Sequence, residues 1–209
     1  MLPDALRRTV SKEEINELPV RRYEGPVCLI ATPQDAALAL EDILRESVVG
    51  FDTETRPAFK PGESYLPCLA QVATARAVYL FQIQQHDFSA PISAMLSSPS
   101  VAKAGVSVAD DLRNLKKLFP FTEEAVIDLG TVAKRHGLKQ SGVRNLAGLF
   151  LGYRIPKGTK TSNWAARQLS PQQIAYAATD AWVCRELYLC FEKLELLKQS
   201  VPVPDLEQP

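Results

Sequence analysis

The chain has 209 residues, of which 46% are hydrophobic, enough for one sizeable core and ordinary for a globular domain. Its 24 basic and 24 acidic residues give a formal net charge of zero, which excludes a global electrostatic attraction to nucleic acid. No apolar run is long enough to cross a bilayer.

The cysteines and the N-terminus bear on the kind of site and on the compartment. Four cysteines without a C-x-x-C pair, and only two histidines, disfavour a zinc site. The first residues lack a hydrophobic signal region. We therefore expect a cytoplasmic protein.

The predicted elements follow one another in a single domain at 23–199, between an N-terminal arm at 1–22 and a flexible C-terminal tail at 200–209. Strands are predicted at 26–31, 47–53, 68–74, 77–83, 101–108 and 125–128. Helices are predicted at 35–45, 88–98, 109–119, 129–136, 141–151 and 171–198. Strands that first follow one another and later alternate with helices predict a mixed α/β sheet.

Two carboxylates, Asp52 and Glu54, stand at the end of the second predicted strand, VVGFDTET. Side chains alternate across a strand, so both acids point to one face and Thr53 points to the other. Like charges on one face repel, and a divalent cation would relieve that repulsion because hard cations bind carboxylate oxygens. The alternative is a strand that runs out into a polar turn before Arg56.

A third acid, Asp180, lies on the long C-terminal helix, in line with an apolar stripe. Steps of three and four residues place it on one face with Tyr176 and Val183. An acid on a core-facing stripe needs a partner. Either an Asp180–Tyr176 hydrogen bond closes the edge of the core, or Asp180 belongs to a functional site.

A fourth acid is selected by comparing two neighbours, Asp110 and Asp111. Asp110 shares a polar stripe and has a structural use, because Ser107 three residues earlier fits a capping box. Asp111 aligns with Leu115 and Leu118, so it is the acid aimed inward. We take Asp111 as the functional candidate.

The four acids, Asp52, Glu54, Asp111 and Asp180, come from three separate elements. Such elements of an α/β protein converge at one edge of the sheet. A ligand set of oxygens without histidine suits Mg²⁺ or Mn²⁺. Two such ions are a common device for displacing an oxygen at phosphorus.

Three segments, FDTET, GVSVADDLRNL and YAATDA, together with SNWAARQLSPQQIAYAATDA, resemble the motifs of the DEDDy 3′–5′ exonucleases, the family of ribonuclease D and the Werner exonuclease domain. The likeness is greatest to small stand-alone bacterial members. The resemblance implies a ribonuclease H-like fold, with a five-stranded mixed sheet flanked by helices. It also implies hydrolysis of nucleic acid from the 3′ end to nucleoside 5′-monophosphates.

The resemblance implies a role for each candidate. Asp52 would bridge two Mg²⁺ or Mn²⁺ ions, and Glu54 and Asp180 would complete the site that activates water. Asp111 would hold the second ion, and Tyr176 would orient the water. Two other functions stay open: a non-catalytic nucleic-acid-binding protein on this fold, and a phosphohydrolase of small nucleotides.

The basic residues are unevenly placed. From Thr131 to Ser170 there is no acid, and the segment contains Lys157, Lys160 and Arg167. These three side chains are predicted to bind the backbone of single-stranded or 3′-ended DNA or RNA. The alternative is a set of solvated helix faces, and Trp164 is predicted to pack in the core. No membrane and no obligate protein partner is expected.

Overall fold

The computed structural model describes residues 9–60, 62–157 and 162–198. The strands are β1 (Val27–Ile30), β2 (Val48–Thr55), β3 (Pro67–Ala73), β4 (Val78–Gln82), β5 (Ala102–Gly105) and β6 (Val126–Asp128). The helices are α1 (Lys12–Glu17), α2 (Pro33–Ile43), α3 (Ser89–Leu96), α4 (Val108–Leu115), α5 (Leu129–Arg135), α6 (Val143–Leu146) and α7 (Pro171–Lys193). A π-helical turn, Ala147–Leu151, continues α6.

The strands form one sheet in the order β1-β4-β3-β2-β5-β6. β3 runs antiparallel to its neighbours, and the other pairs are parallel. The carboxyl ends of β2 and β5 therefore lie at the same edge, where the chain enters α4. This arrangement places the acids of β2 beside those of α4.

The two faces of the sheet are covered by different helices. Val49 and Phe51 of β2 pack with buried residues of α2, α3 and α4. Val48, on the opposite face, packs with Val183 and Leu187 of α7. The period of two along β2 thus assigns Asp52 and Glu54 to the face that α7 covers.

α7 lies directly against β2 because Gly50 has no side chain. A Cβ atom at Gly50 would lie 1.9 Å from the carbonyl oxygen of Ala181. The helix begins at a capping box in which Ser170 and Gln173 exchange side-chain and backbone hydrogen bonds. Close packing at Gly50 sets the depth of α7 over the strand, and Asp180 immediately precedes this contact.

The predicted mixed α/β architecture is confirmed, but the number of strands implied by the resemblance is wrong. The sheet has six strands instead of five. The extra pairing is at the edges, where the short strands β1 and β6 each bond to a single neighbour. The six strand segments predicted from the residues each contain an observed strand or most of it.

Helix boundaries differ from the predictions at the ends. The predicted helix at 141–151 is a short α-helix followed by the π-helical turn, which ends at Gly152 with φ of +69°. Within the predicted arm, residues 12–17 form α1, and Ile15 packs against Gly148. The predicted tail at 200–209 lies outside the described residues. Among the described helices, none combines the length and apolar character needed to span a lipid bilayer.

Candidate active site

Three acids from two elements meet on the α7 face of the sheet. Asp52 and Glu54 stand two residues apart on β2, and Asp180 is buried on α7 directly above them. One carboxylate oxygen from each lies within 4.8 Å of the other two. This separation is close enough for all three carboxylates to share a cation.

The fourth acid, Asp111, approaches from the first turn of α4. It is half-buried, and its carboxylate accepts a hydrogen bond from the Thr53 hydroxyl on β2. It lies outside the group of three, yet its charge raises the pKa of both Asp52 and Glu54. Asp111 therefore belongs to the same electrostatic site at the edge of β2.

Asp110 points to solvent and pairs with Arg113 at 2.5 Å. The predicted capping box is wrong, because the Ser107 side chain makes no capping hydrogen bond. Ser107 instead adopts φ of +62°, in the left-handed region. That conformation turns the chain sharply from β5 into α4 and determines which of the two acids faces inward.

The tyrosine one turn before Asp180 is part of the same cluster. Tyr176 and Asp180 lie one turn apart on α7, and each shifts the pKa of the other. Burial and then the charge of Asp180 raise the pKa of Tyr176, so its hydroxyl is protonated at neutral pH. Asp180 Oδ1 is buried and has no hydrogen-bond partner among the described residues.

The pKa values of all four acids are raised, chiefly because burial disfavours the charged form. Burial raises the pKa of Glu54 to about 8, and the charges of Asp180 and Asp111 add to the effect. Burial raises the pKa of Asp180 and that of Asp111 to about 6. The pKa of Asp52 is raised by burial and then by Asp180, Asp111 and Glu54.

These residues fit a hard divalent cation. The ligands are carboxylate oxygens, which Mg²⁺ and Mn²⁺ prefer. The charges of the other acids raise the pKa values of Asp52 and Glu54, and a positive ion would offset that repulsion. Arg144 of α6 is a cationic neighbour of Asp180, and its charge lowers the pKa of that carboxyl.

A cavity of about 580 Å³ is lined by Tyr176, although none of the four acids lines it. Its lining includes Arg22, Lys157 and Trp164. Within residues 9–60, 62–157 and 162–198, neither Arg22 nor Lys157 forms an ion pair. An anionic ligand in this cavity would therefore meet two cations and the ring of Tyr176.

The predicted basic side chains are not all placed at this cavity. Lys157 lines it, Arg167 is exposed and does not line it, and Lys160 lies outside the described residues. Trp164 is buried in the core and also forms part of the cavity wall, with its ring centroid 6.1 Å from that of Tyr176. Arg22 was missed by the sequence analysis, because the fold brings a residue of the predicted arm to a cavity whose other lining residues belong to 156–157 and 162–176.

Comparison with known proteins identifies the family of this chain. The family model described as 3′–5′ exonuclease matches residues 28–195. A ribonuclease D from Gluconacetobacter diazotrophicus is 34% identical over 178 residues, which cover 83% of this chain and 44% of that protein. The bifunctional 3′–5′ exonuclease/ATP-dependent helicase WRN of Mus musculus is 32% identical over 184 residues, which cover 83% of this chain and 13% of that protein.

Among solved structures, the EXO domain of Aedes aegypti Nibbler superposes with a TM-score of 0.73 at 26% identity. That match covers 83% of this chain and 90% of the domain. This chain spans less than half the length of either curated relative named above. Its matched region nevertheless contains all four acids and Tyr176, and the fold is ribonuclease H-like. The chain belongs to the 3′–5′ exonuclease domain family.

Proposed function

We propose that this protein is a divalent-metal-dependent 3′–5′ exonuclease that releases nucleoside 5′-monophosphates from the 3′ end of nucleic acid. The observation that carries the proposal is the meeting of Asp52, Glu54 and Asp180 within 4.8 Å, in a chain of this family. Asp111 and Tyr176 join that cluster from α4 and α7.

The four acids would hold two Mg²⁺ or Mn²⁺ ions. Asp52 would be shared between the ions, and this is supported by the charges of the other three carboxylates, each of which raises its pKa. Glu54 and Asp180 would complete one side of the site, and Asp111 would complete the other. Bound ions supply a nucleophilic water at neutral pH and neutralise charge that develops on the phosphodiester.

Tyr176 would orient the attacking water by a hydrogen bond at its hydroxyl oxygen. Its raised pKa keeps the phenol protonated, so it is unsuited to act as the general base. Tyr176 lines the cavity and lies one turn from Asp180 on α7. The benefit of Tyr176 would come from orientation.

The cavity beside Tyr176 would receive the strand that leads to the scissile bond. Arg22 and Lys157 line it and would neutralise backbone phosphates. Lys160 and Arg167 would extend this contact along the strand. Single-stranded or 3′-ended DNA or RNA would be the substrate, and a reducing cytoplasm, consistent with four free cysteines, would be the compartment.

A phosphohydrolase of small nucleotides is the second candidate. A cavity of about 580 Å³ lies within the usual range for a small-ligand site. The loss of one acid would favour the non-catalytic alternative, but this chain has all four.

The test is digestion of end-labelled single- and double-stranded DNA and RNA in Mg²⁺ or Mn²⁺, with Asp52→Ala as the control. A ladder that shortens from the 3′ end, with 5′-monophosphate products, is expected. Binding without cleavage would mean a nucleic-acid-binding protein. Hydrolysis confined to mononucleotides would mean a small-nucleotide phosphohydrolase.

A further inference from the structure

Gln71, in the middle of β3, is fully buried, yet its side chain has no hydrogen bond within the described residues. Its exposed fraction is 0%. Both the amide nitrogen Nε2 and the carbonyl oxygen Oε1 lack a partner. A buried polar atom left without a partner costs about 1–3 kcal/mol. Because Gln71 has two such atoms, its presence in the centre of the sheet needs a functional explanation.

The position of Gln71 in the sheet points to its partner. Gln71 lies directly opposite Asp52 on β2 and directly opposite Leu80 on β4. Residues paired in this way project to the same face, with Cβ atoms about 5 Å apart. Along β3, the flanking side chains on that face are Leu69 and Ala73. Of these four neighbours, Asp52 alone is polar.

The face that Gln71 shares with Asp52 is covered by α7. Leu69, Ala73 and Leu80 pack with Ala177, Ala178 and Ala181 in one buried cluster. Alanine side chains offer an amide no hydrogen bond. The carboxylate of Asp52 is the acceptor that the sheet register places directly opposite Gln71.

A second buried glutamine, Gln82, has an amide with a structural role and serves as a comparison. Gln82, on the adjacent strand β4, is 7% exposed. Its Nε2 donates a 3.2 Å hydrogen bond to the carbonyl oxygen of Ala166. Gln82 thereby ties β4 to the loop before α7, whereas Gln71 makes no such tie.

We propose that Gln71 is a positioning residue for Asp52: when a divalent cation is bound, the amide N–H of Gln71 donates to the Asp52 carboxylate and holds it in the orientation that binds the cation. This inference rests on the cation site of the proposed function. A hydrogen bond to an ionised carboxylate is about twice as strong as one between neutral groups. Residues that orient metal-binding carboxylates typically change metal affinity about 10–100-fold when they are replaced.

The proposal predicts opposite effects on stability and on cation binding. Gln71→Met keeps the length of the side chain and removes both unpartnered atoms. In the presence of a chelator, its unfolding midpoint should equal or exceed that of the wild type, because no buried polar atom is left without a partner. Its Mn²⁺ affinity should nevertheless fall about 10–100-fold.

The matched control is Gln82→Met, which should behave in the reverse way. It leaves the Ala166 carbonyl without its donor, so the unfolding midpoint should fall. Its Mn²⁺ affinity should stay at the wild-type value. Gln71→Leu serves as a second apolar replacement, so that a folding defect specific to methionine does not decide the result.

The experiment titrates Mn²⁺ into the full chain, followed by electron paramagnetic resonance, and measures denaturant unfolding in chelator for each variant. A Gln71→Met or Gln71→Leu protein that binds Mn²⁺ as tightly as the wild type would overturn the positioning role. A lowered unfolding midpoint with unchanged Mn²⁺ affinity would also overturn it, because that result is expected of an amide with a purely structural role. Failure of the wild type to bind Mn²⁺ would overturn the cation site as well, so the two failures are distinct.

Discussion

The protein buries charged groups on both faces of its sheet. The two faces differ in whether the fold itself supplies a partner for the buried charge. On one face, Lys103 of β5 is fully buried and its ammonium donates a 2.6 Å hydrogen bond to the carbonyl oxygen of Ser98. On the other face, Asp52, Glu54 and Asp180 bring like charges together. Lys103 has its partner within the fold, whereas the carboxylates repel one another.

This difference separates a structural charge from a functional one. Burial lowers the pKa of Lys103 to about 8, and the nearby Glu124 opposes that change. Burial raises the pKa values of the carboxylates, repulsion from the other acids raises those of Asp52 and Glu54 further, and one cation would offset that repulsion. Groups that folding leaves uncompensated are the ones expected to bind a ligand.

The largest expected effect is on activity, from changes at the carboxylates. Asp52→Asn or Asp180→Asn should lower turnover by about 10³-fold or more, because each removes a charge that holds the cations. Each should leave the chelated protein as stable as the wild type or more so, since one repulsive charge is gone. Rates on end-labelled oligonucleotide and unfolding curves in chelator measure both effects.

The control for these variants is Asp110→Asn, which changes an exposed acid next to Asp111. It should retain wild-type turnover. Full activity in Asp52→Asn or Asp180→Asn would contradict the assignment of the cluster as the active site.

Tyr176→Phe should have the next largest effect, a loss of about 10²-fold in kcat, because a misoriented nucleophile typically costs that much. Mn²⁺ affinity should be unchanged, since the phenol is not a carboxylate ligand. Parallel kinetic and Mn²⁺ titrations separate the two quantities. A Tyr176→Phe protein with unaltered kcat would remove Tyr176 from the mechanism.

The two kinds of buried charge predict opposite slopes of stability against pH in chelator. The folded pKa values of the acids, about 6 for Asp111 and Asp180 and about 8 for Glu54, lie above their unfolded values. The folded state therefore binds more protons than the unfolded state, and stability should fall as the pH rises from about 4 to about 8. The folded pKa of Lys103 is lower than its unfolded value, so stability should rise again between about pH 8 and 10.5.

Denaturant unfolding across pH, with chelator or saturating Mg²⁺, tests these slopes. Mg²⁺ should remove the fall below pH 8 and leave the rise above it, and Lys103→Met should remove the rise. A fall that is unaffected by Mg²⁺ would mean that its cause is not the carboxylate cluster.

A smaller effect is expected at the cavity. In an Asp52→Asn background, Arg22→Gln or Lys157→Gln should weaken oligonucleotide binding about tenfold and reduce the salt slope by about 1. Arg45→Gln is the control, because Arg45 follows α2 and pairs with Glu41. Fluorescence anisotropy at several salt concentrations measures the slope, and equal slopes for all variants would place the strand elsewhere.

The smallest effect is expected at Ser107, whose left-handed φ favours glycine. Ser107→Gly should stabilise the protein by up to about 1 kcal/mol, because the strain is partly offset by glycine's greater entropy loss. Ser107→Val should destabilise it by about 1–2 kcal/mol. Equal stabilities in chemical denaturation would show that this turn is unstrained.

Local periodicity was enough to predict much of the fold and the candidate acids. The period of two in β2 places Asp52 and Glu54 on one face, and the helical period singles out Asp111 over Asp110. The resemblance of three sequence motifs to those of the DEDDy exonucleases was enough to predict the family. These signals work because each depends on neighbours close along the chain.

The remaining features depend on contacts between distant segments. The left-handed conformation of Ser107 could not be predicted, because the sequence around it also fits a capping box. Arg22 reaches the cavity because the arm pairs with residue 154. Gln71 faces Asp52 because of the register between β2 and β3, and a pattern within one strand does not contain that register.

The most direct measurement is anomalous diffraction from crystals of the full chain soaked in Mn²⁺. The account predicts two peaks among the oxygens of Asp52, Glu54, Asp111 and Asp180, and their loss in Asp52→Asn. A cluster without Mn²⁺ at a concentration that supports nuclease activity would contradict it, as would Mn²⁺ bound only elsewhere.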